Sequence, residues 1–165
     1  MTRLPLSRQP WFAYIVLTGL TFVTAALGSL GSIQAGAFYL DLAKPIWAPP
    51  AWLFGPVWTF LYSAMAVAAC LLWRQLQTLR HPTLILYYAQ LGLNGAWSWV
   101  FFYGQLGGFA LINIAALLVV IAWLVKDSLR LSRIITLLFV PYFFWVCFAA
   151  MLNLVLWRAN PGILT

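Results

Sequence analysis

Long runs without charge alternate with short polar stretches along this chain. The first run extends from Trp11 to about Ile33, and the second from about Ala51 to Trp73. A third uncharged stretch runs from Pro82 to Val125. It is too long for one membrane-crossing helix of about 20 residues, and Tyr103-Gly104-Gln105-Leu106-Gly107-Gly108 breaks it. It therefore reads as two helices joined by a tight turn. The last run covers Ile134 to Trp157. The pattern predicts an all-α integral membrane protein, a bundle of five transmembrane helices over 11–33, 51–73, 83–103, 108–125 and 134–157, forming one domain across 1–165. Arg3 and Arg8 precede the first run in the manner of a secretory leader. That run is longer than a leader's apolar core, so it reads as a span. An odd number of spans argues against a transporter built from two inverted repeats.

Of the connections only Gln34 to Pro50 is long, and it is rich in aromatic residues and proline rather than hydrophilic. Such a loop either folds back over the mouth of the bundle or lies as a linker in the membrane interface. Long ordered loops carry function more often than short ones.

Polar side chains within apolar helices are costly in lipid and face a partner helix or a cavity. Gln90, Asn94, Trp97 and Phe101 are spaced to share one helical face. So are Phe54, Trp58, Tyr62 and Met65, and so are Tyr142, Trp145, Ala149 and either Leu152 or Asn153. Three aromatic stripes with a few amides can line a flat, mostly apolar ligand pocket. Equally, they can be helix-packing core, with Asn94 and Asn153 as interhelical hydrogen-bonding groups. Trp11, Trp73 and Trp157 stand at span ends and read as interfacial belt residues. Pro141, inside the last span, is expected to kink it. Gly28, Ser32 and Gly36, like Gly92 and Ala96, are small residues four apart that admit a close helix neighbour.

Composition removes most other readings. The chain is 65% hydrophobic and only 7% charged, against about 25% charged in ordinary soluble domains. Two acids, Asp41 and Asp127, face nine Lys and Arg. That excess would suggest nucleic acid in a soluble protein; here it follows membrane orientation, and no nucleic-acid partner is expected. Arg3, Arg8, Arg74, Arg80, Lys126, Arg130 and Arg133 fall on one side, and Lys44 and Arg158 on the other. The N-terminus is therefore expected in the cytoplasm, in a bacterial cell membrane, with an outer membrane as the alternative. Cys70 and Cys147 sit in apolar runs and support no disulfide framework. His81, before Pro82, reads as a loop or cap residue, with axial haem ligation the sharper alternative. No metal site is expected, because three or four clustered ligands are lacking. No carboxylate pair, G-x-S-x-G or phosphate-loop pattern is present.

Three motifs in order resemble the translocator protein / tryptophan-rich sensory protein (TspO/MBR) family over nearly the whole chain. They are Trp47-Ala-Pro-Pro50 with Phe54-Gly-Pro-Val-Trp58-Thr-Phe-Leu-Tyr62; Gln90-Leu-Gly-Leu-Asn94-Gly-Ala-Trp97-Ser-Trp-Val-Phe101-Phe102; and Pro141-Tyr142-Phe-Phe-Trp145 with Ala149-Ala-Met-Leu-Asn153 and Trp157-Arg158-Ala-Asn160. The resemblance implies five packed helices, a homodimer, and a pocket beneath the first loop for tetrapyrroles such as protoporphyrin IX or a haem-like porphyrin. No further cofactor is implied beyond that ligand, with lipid around the bundle. It places Trp58, Tyr62, Gln90, Asn94, Trp97, Phe101, Tyr142, Trp145 and Ala149 around the pocket, and Trp47, Pro49 and Pro50 in its lid. Lys44 is the candidate partner for the porphyrin propionates. Four roles are candidates: porphyrin sensing, a passive partner that tunes another membrane complex, transport of porphyrins or other hydrophobic ligands, and light-dependent porphyrin degradation, which the resemblance implies for some members. Trp58 and Trp145 would be the catalytic pair in the last. A cholesterol-binding pattern of related chains is incomplete here, since Leu154 and Val155 stand where a Tyr is needed.

Overall fold

A computed structural model describes residues 10–165. Arg3 and Arg8, counted above for orientation, lie outside the described residues. Among those described, helices α1 (Pro10–Gly31), α3 (Phe54–Leu76), α5 (Gly107–Leu131) and α6 (Arg133–Ala159) are long and apolar enough to cross a membrane. Helix α4 (Pro82–Ser98) is shorter and continues into a π-helical turn, Trp99–Tyr103. The fourth predicted span is longer than expected at its far end, because Lys126 to Leu131 continue the helix. The first loop contains a short helix, α2 (Ala35–Asp41), and ends in a single 3-10 turn, Ala51–Leu53, that leads into α3.

Local chemistry sets the ends. Pro82 occupies the first turn of α4, where its missing N–H costs nothing. His81 caps that turn, its Nδ1 accepting from the Thr83 amide at 3.3 Å. The sole histidine is thus a helix cap. Helix α3 stops at Gln77, which turns left-handed at φ 53°. Pro141 does not end α6, which runs through it to Ala159.

Short connections make α3, α4, α5 and α6 successively antiparallel. Helix α1 packs on α3 and α4, α3 on α6, α5 on both α4 and α6. The five long helices therefore close a ring in the order α1, α3, α6, α5, α4. The half of the ring away from the first loop is solid. Leu17, Met65, Leu72, Leu84, Tyr87, Ile121, Ile135 and Phe139 are all fully buried there. A second small core sits under the loop and joins Tyr39, Leu42, Phe101, Leu152, Leu156 and Leu164. The outside is apolar too: Ile15, Ile112 and Leu137 are 63%, 68% and 67% exposed. A continuous apolar exterior of this kind suits hydrocarbon and not water.

Trp73 departs from the sequence expectation. It is buried, not a belt residue, and packs edge-on against Tyr14 at 5.5 Å. Helix α3 continues past it to Leu76, so Trp73 lies a turn inside the helix and faces α1. Trp11 does stand exposed at the beginning of α1. Trp157 is half-buried over the start of α5.

Candidate functional site

Between the solid half and the first loop, the ring encloses a cavity of about 700 Å³. That volume is within the range of about 300–1,000 Å³ used for small-molecule sites. Helices α1, α3, α4 and α6 wall it, and α2 roofs it through Ala35, Gly36 and Tyr39. Six of the twelve residues predicted above for the pocket and its lid come together on its walls, Trp58, Tyr62, Asn94, Trp97, Trp145 and Ala149, with Phe54 of the α3 stripe beside them. Among the described residues, no Lys, Arg, His, Asp or Glu lines it.

The cavity exists because α1 changes partners along its length. Its first half lies on α3, with Thr18 Oγ1 3.7 Å from Cys70 Sγ and Tyr14 on Trp73. Its second half leans onto α4. A methyl group on Gly95 would stand 3.3 Å from Thr24, and one on Gly31 would stand 3.0 Å from the Trp99 ring. Trp99 Nε1 donates to the Leu27 carbonyl at 2.9 Å. Gly28 is the member of the small-residue stripe that meets α4, beside Ser98, whereas Gly36 and Gly92 face open space. Where α1 leaves α3 a gap remains, rimmed by the exposed residues Phe22, Ala26, Ser29, Gly55 and Thr59. The cavity therefore opens sideways as well as lying beneath the loop.

The other six predicted residues are not on the cavity wall, and each has a reason. Gln90 and Tyr142 stand one layer behind it, fully buried. They continue a hydrogen-bond chain: Tyr62 Oη donates to Asn94 Oδ1 at 2.7 Å, Asn94 Nδ2 to Tyr142 Oη at 2.7 Å, and Tyr142 Oη to Gln90 Oε1 at 2.9 Å. Asn94 is thus both a wall residue and a bond between α3, α4 and α6. Phe101 is displaced by the π-helical turn. The Gly104 amide reaches back to Trp99 O at 2.7 Å, and the wider turn breaks the 3.6-residue periodicity. Phe102 faces the cavity instead, while Phe101 stacks behind Trp97 at 5.0 Å. Trp97 is further fixed through Nε1 to Asn153 Oδ1 at 3.1 Å, and Asn153 Nδ2 donates to the Gly107 carbonyl at 3.0 Å.

Trp47, Pro49 and Pro50 belong to the loop but not to the cavity wall. Trp47 packs edge-on against Phe148, which in turn lies against Trp145. The Pro49 carbonyl accepts from Tyr39 Oη at 3.0 Å, which braces the loop above the cavity. Burial raises the Tyr39 pKa above its ordinary value, so this donor stays protonated at neutral pH. Lys44, the candidate partner for the propionates, is exposed and its ammonium rests on the loop backbone. Its ammonium donates to the Tyr39, Leu40 and Leu42 carbonyls at 2.6, 3.0 and 3.1 Å. Those carbonyls close the C-terminal end of α2, where a cation is favoured. Asn160 ties the loop to the end of α6. Its Oδ1 accepts from the Ala43 amide at 2.8 Å, and Nδ2 donates to the Ala43 carbonyl at 3.0 Å and to Leu156 O at 2.8 Å.

Sequence reasoning missed the α1 wall, Tyr39 and Phe102. The α1 wall had a signal, since Ala25, Gly28, Ser29 and Ser32 share one face of small residues.

Comparison with known proteins agrees with this architecture. The TspO/MBR family matches residues 8–158. The human translocator protein is 37% identical over 133 residues, 76% of this chain and 76% of its own length. The tryptophan-rich protein TspO of Chlorobaculum tepidum is 36% identical over 144 residues, 82% of this chain and 90% of its own. The tryptophan-rich sensory protein of Cereibacter sphaeroides is 32% identical over 155 residues, 91% and 92% of the two chains. With its apolar helices this is an integral membrane protein, and the chain belongs to the TspO/MBR family.

Proposed function

We propose that this protein is a membrane sensor whose cavity binds a flat hydrophobic ligand of the porphyrin type, protoporphyrin IX or a haem-like porphyrin. The observation that carries the reading is the cavity itself: about 700 Å³, walled by Trp58, Trp97 and Trp145, and, among the described residues, free of charged side chains. Aromatic walls suit a flat conjugated ring, with edge or offset contacts adding about 0.5–1.5 kcal/mol each. The uncharged wall leaves the propionates no buried partner, so they project from the cavity towards water. The sideways gap between α1 and α3 suits a ligand that first dissolves in the bilayer. In this reading all five long helices span the membrane, α4 with its π-helical turn as the third. The first loop is the lid, the N-terminus is cytoplasmic in a bacterial cell membrane, and the working unit is a homodimer. Both relatives named as tryptophan-rich proteins point to the same residue type.

The test is a protoporphyrin IX titration of the purified protein in the dark. Saturable binding is expected, weakened about threefold to tenfold by Trp58→Phe, Trp145→Phe or Asn94→Ala. Absence of saturable binding overturns the assignment. A second reading, light-dependent breakdown of the porphyrin, has one observation in its favour: Trp58 and Trp145 both line the cavity. Repeating the titration under illumination decides it. Loss of the porphyrin absorption band that Trp145→Phe abolishes makes the protein an enzyme; an unchanged band leaves it a sensor.

A further inference from the structure

The chain of hydrogen bonds from Tyr62 through Asn94 and Tyr142 to Gln90 begins on the cavity wall and ends badly. Gln90 is fully buried, and its Nε2 has no hydrogen-bond partner. A buried donor left unpaired costs about 1–3 kcal/mol. The same heavy atoms support the chain in the opposite direction. An amide exchanges its donor and acceptor by a half-turn flip, and a hydroxyl proton rotates to suit. In the reversed chain Gln90 donates to Tyr142, Tyr142 donates to Asn94, and Asn94 donates to Tyr62. The unpaired group at the far end is then a carbonyl, which proteins tolerate more readily than an unpaired N–H.

The two directions present different chemistry to the cavity. In the first, the Tyr62 proton is held by Asn94, and the hydroxyl can only accept from a ligand. In the second, that proton is free to be donated. Three of the other cavity hydroxyls lack this freedom. Ser29, Ser32 and Thr59 each give their proton to a carbonyl of their own helix, at 2.7, 3.0 and 2.9 Å. We infer that Tyr62 is an adaptable polar contact of the cavity, accepting from N–H ligands and donating to carbonyl ligands, and that Gln90, one layer behind the wall, is the positioning residue that sets the balance. The inference rests on the cavity being a ligand site.

Two flat tricyclic probes of similar size test it on the full chain in detergent: carbazole, which offers an N–H, and fluorenone, which offers a carbonyl. Both are expected to bind the unaltered protein, and Tyr62→Phe is expected to weaken both. Gln90→Leu removes the acceptor that Tyr142 uses and so favours the reversed chain. It is expected to raise the affinity ratio of fluorenone to carbazole about tenfold. In the Tyr62→Phe background the same substitution is expected to leave the ratio unchanged, which a general loosening of the bundle would not do. Where Gln90→Leu fails to fold, Gln90→Met keeps the chain length and tests the same point. A ratio unmoved by the folded variant overturns the inference. So does a shift that persists without Tyr62, a Tyr62→Phe effect on one probe only, or binding of neither probe. Protoporphyrin IX titrated in parallel separates failure of the inference from failure of the ligand site, because it binds the cavity whichever way the chain runs.

Discussion

Asn94 shows how much one amide does inside an apolar bundle. Its side chain meets Tyr62 on α3 and Tyr142 on α6 while itself belonging to α4. Its position on a polar helical face was legible from spacing; the partners that occupy its amide were not, because they come from helices far away in sequence. Trp97 is similar. Spacing put it on the face of Asn94, and only packing shows it held between Asn153 and the Phe101 ring. Gly107 is a case where absence of a side chain matters. A Cβ there would stand 2.6 Å from Trp157 Cδ1 and 2.8 Å from Cγ, closer than real contacts allow. Gly107→Ala is therefore expected to cost about 1–3 kcal/mol through overpacking, read as a lowered thermal midpoint in detergent. Gly92→Ala, facing open space, is expected to leave that midpoint nearly unchanged.

At the scale of elements, the π-helical turn Trp99–Tyr103 decides which phenylalanine the cavity sees. Helical periodicity assumes 3.6 residues per turn, and it fails where one turn takes more. Nothing in the run Trp-Val-Phe-Phe-Tyr announces that change. The first loop is a second case. Its length and proline content marked it as unusual, and its bracing is tertiary: Tyr39 on Pro49, Lys44 across the end of α2, and Asn160 on both backbone groups of Ala43. Asn160→Ala removes that last clasp. Amide exchange at Ala43 is expected to speed up at least tenfold, with little change in helices α3 to α5, measured by hydrogen–deuterium exchange. In the ligand-site reading, porphyrin dissociation is expected to quicken as well. Unchanged exchange at Ala43 would show the loop is held without Asn160.

For the whole molecule, the ring order α1, α3, α6, α5, α4 follows from which faces carry small or aromatic residues and not from connection length, since α3 and α4 are joined by a short turn yet are not ring neighbours. Orientation rests on Lys and Arg, which gather at the end where α3 meets α4 and α5 meets α6. With Cys70 and Cys147 replaced by Ser, Thr78→Cys is expected to react only with a thiol reagent that reaches the cytoplasm. Asp41→Cys, on the first loop, is expected to react with an impermeant reagent from outside. The opposite pattern reverses the orientation. The sequence by itself determined the class of the protein, because a chain with 7% charge and runs of about 20 apolar residues can satisfy its backbone only as helices in lipid. It also determined the three aromatic stripes and, through their motifs, the family. Tertiary structure alone decided where a cavity opens, since that depends on α1 leaving α3 for α4 at its small residues. It alone decided that Gln90 and Tyr142 stand behind the wall and that Lys44 is already engaged. Periodicity assigns a side chain to a face, but the depth at which that face is buried depends on the helices packed against it.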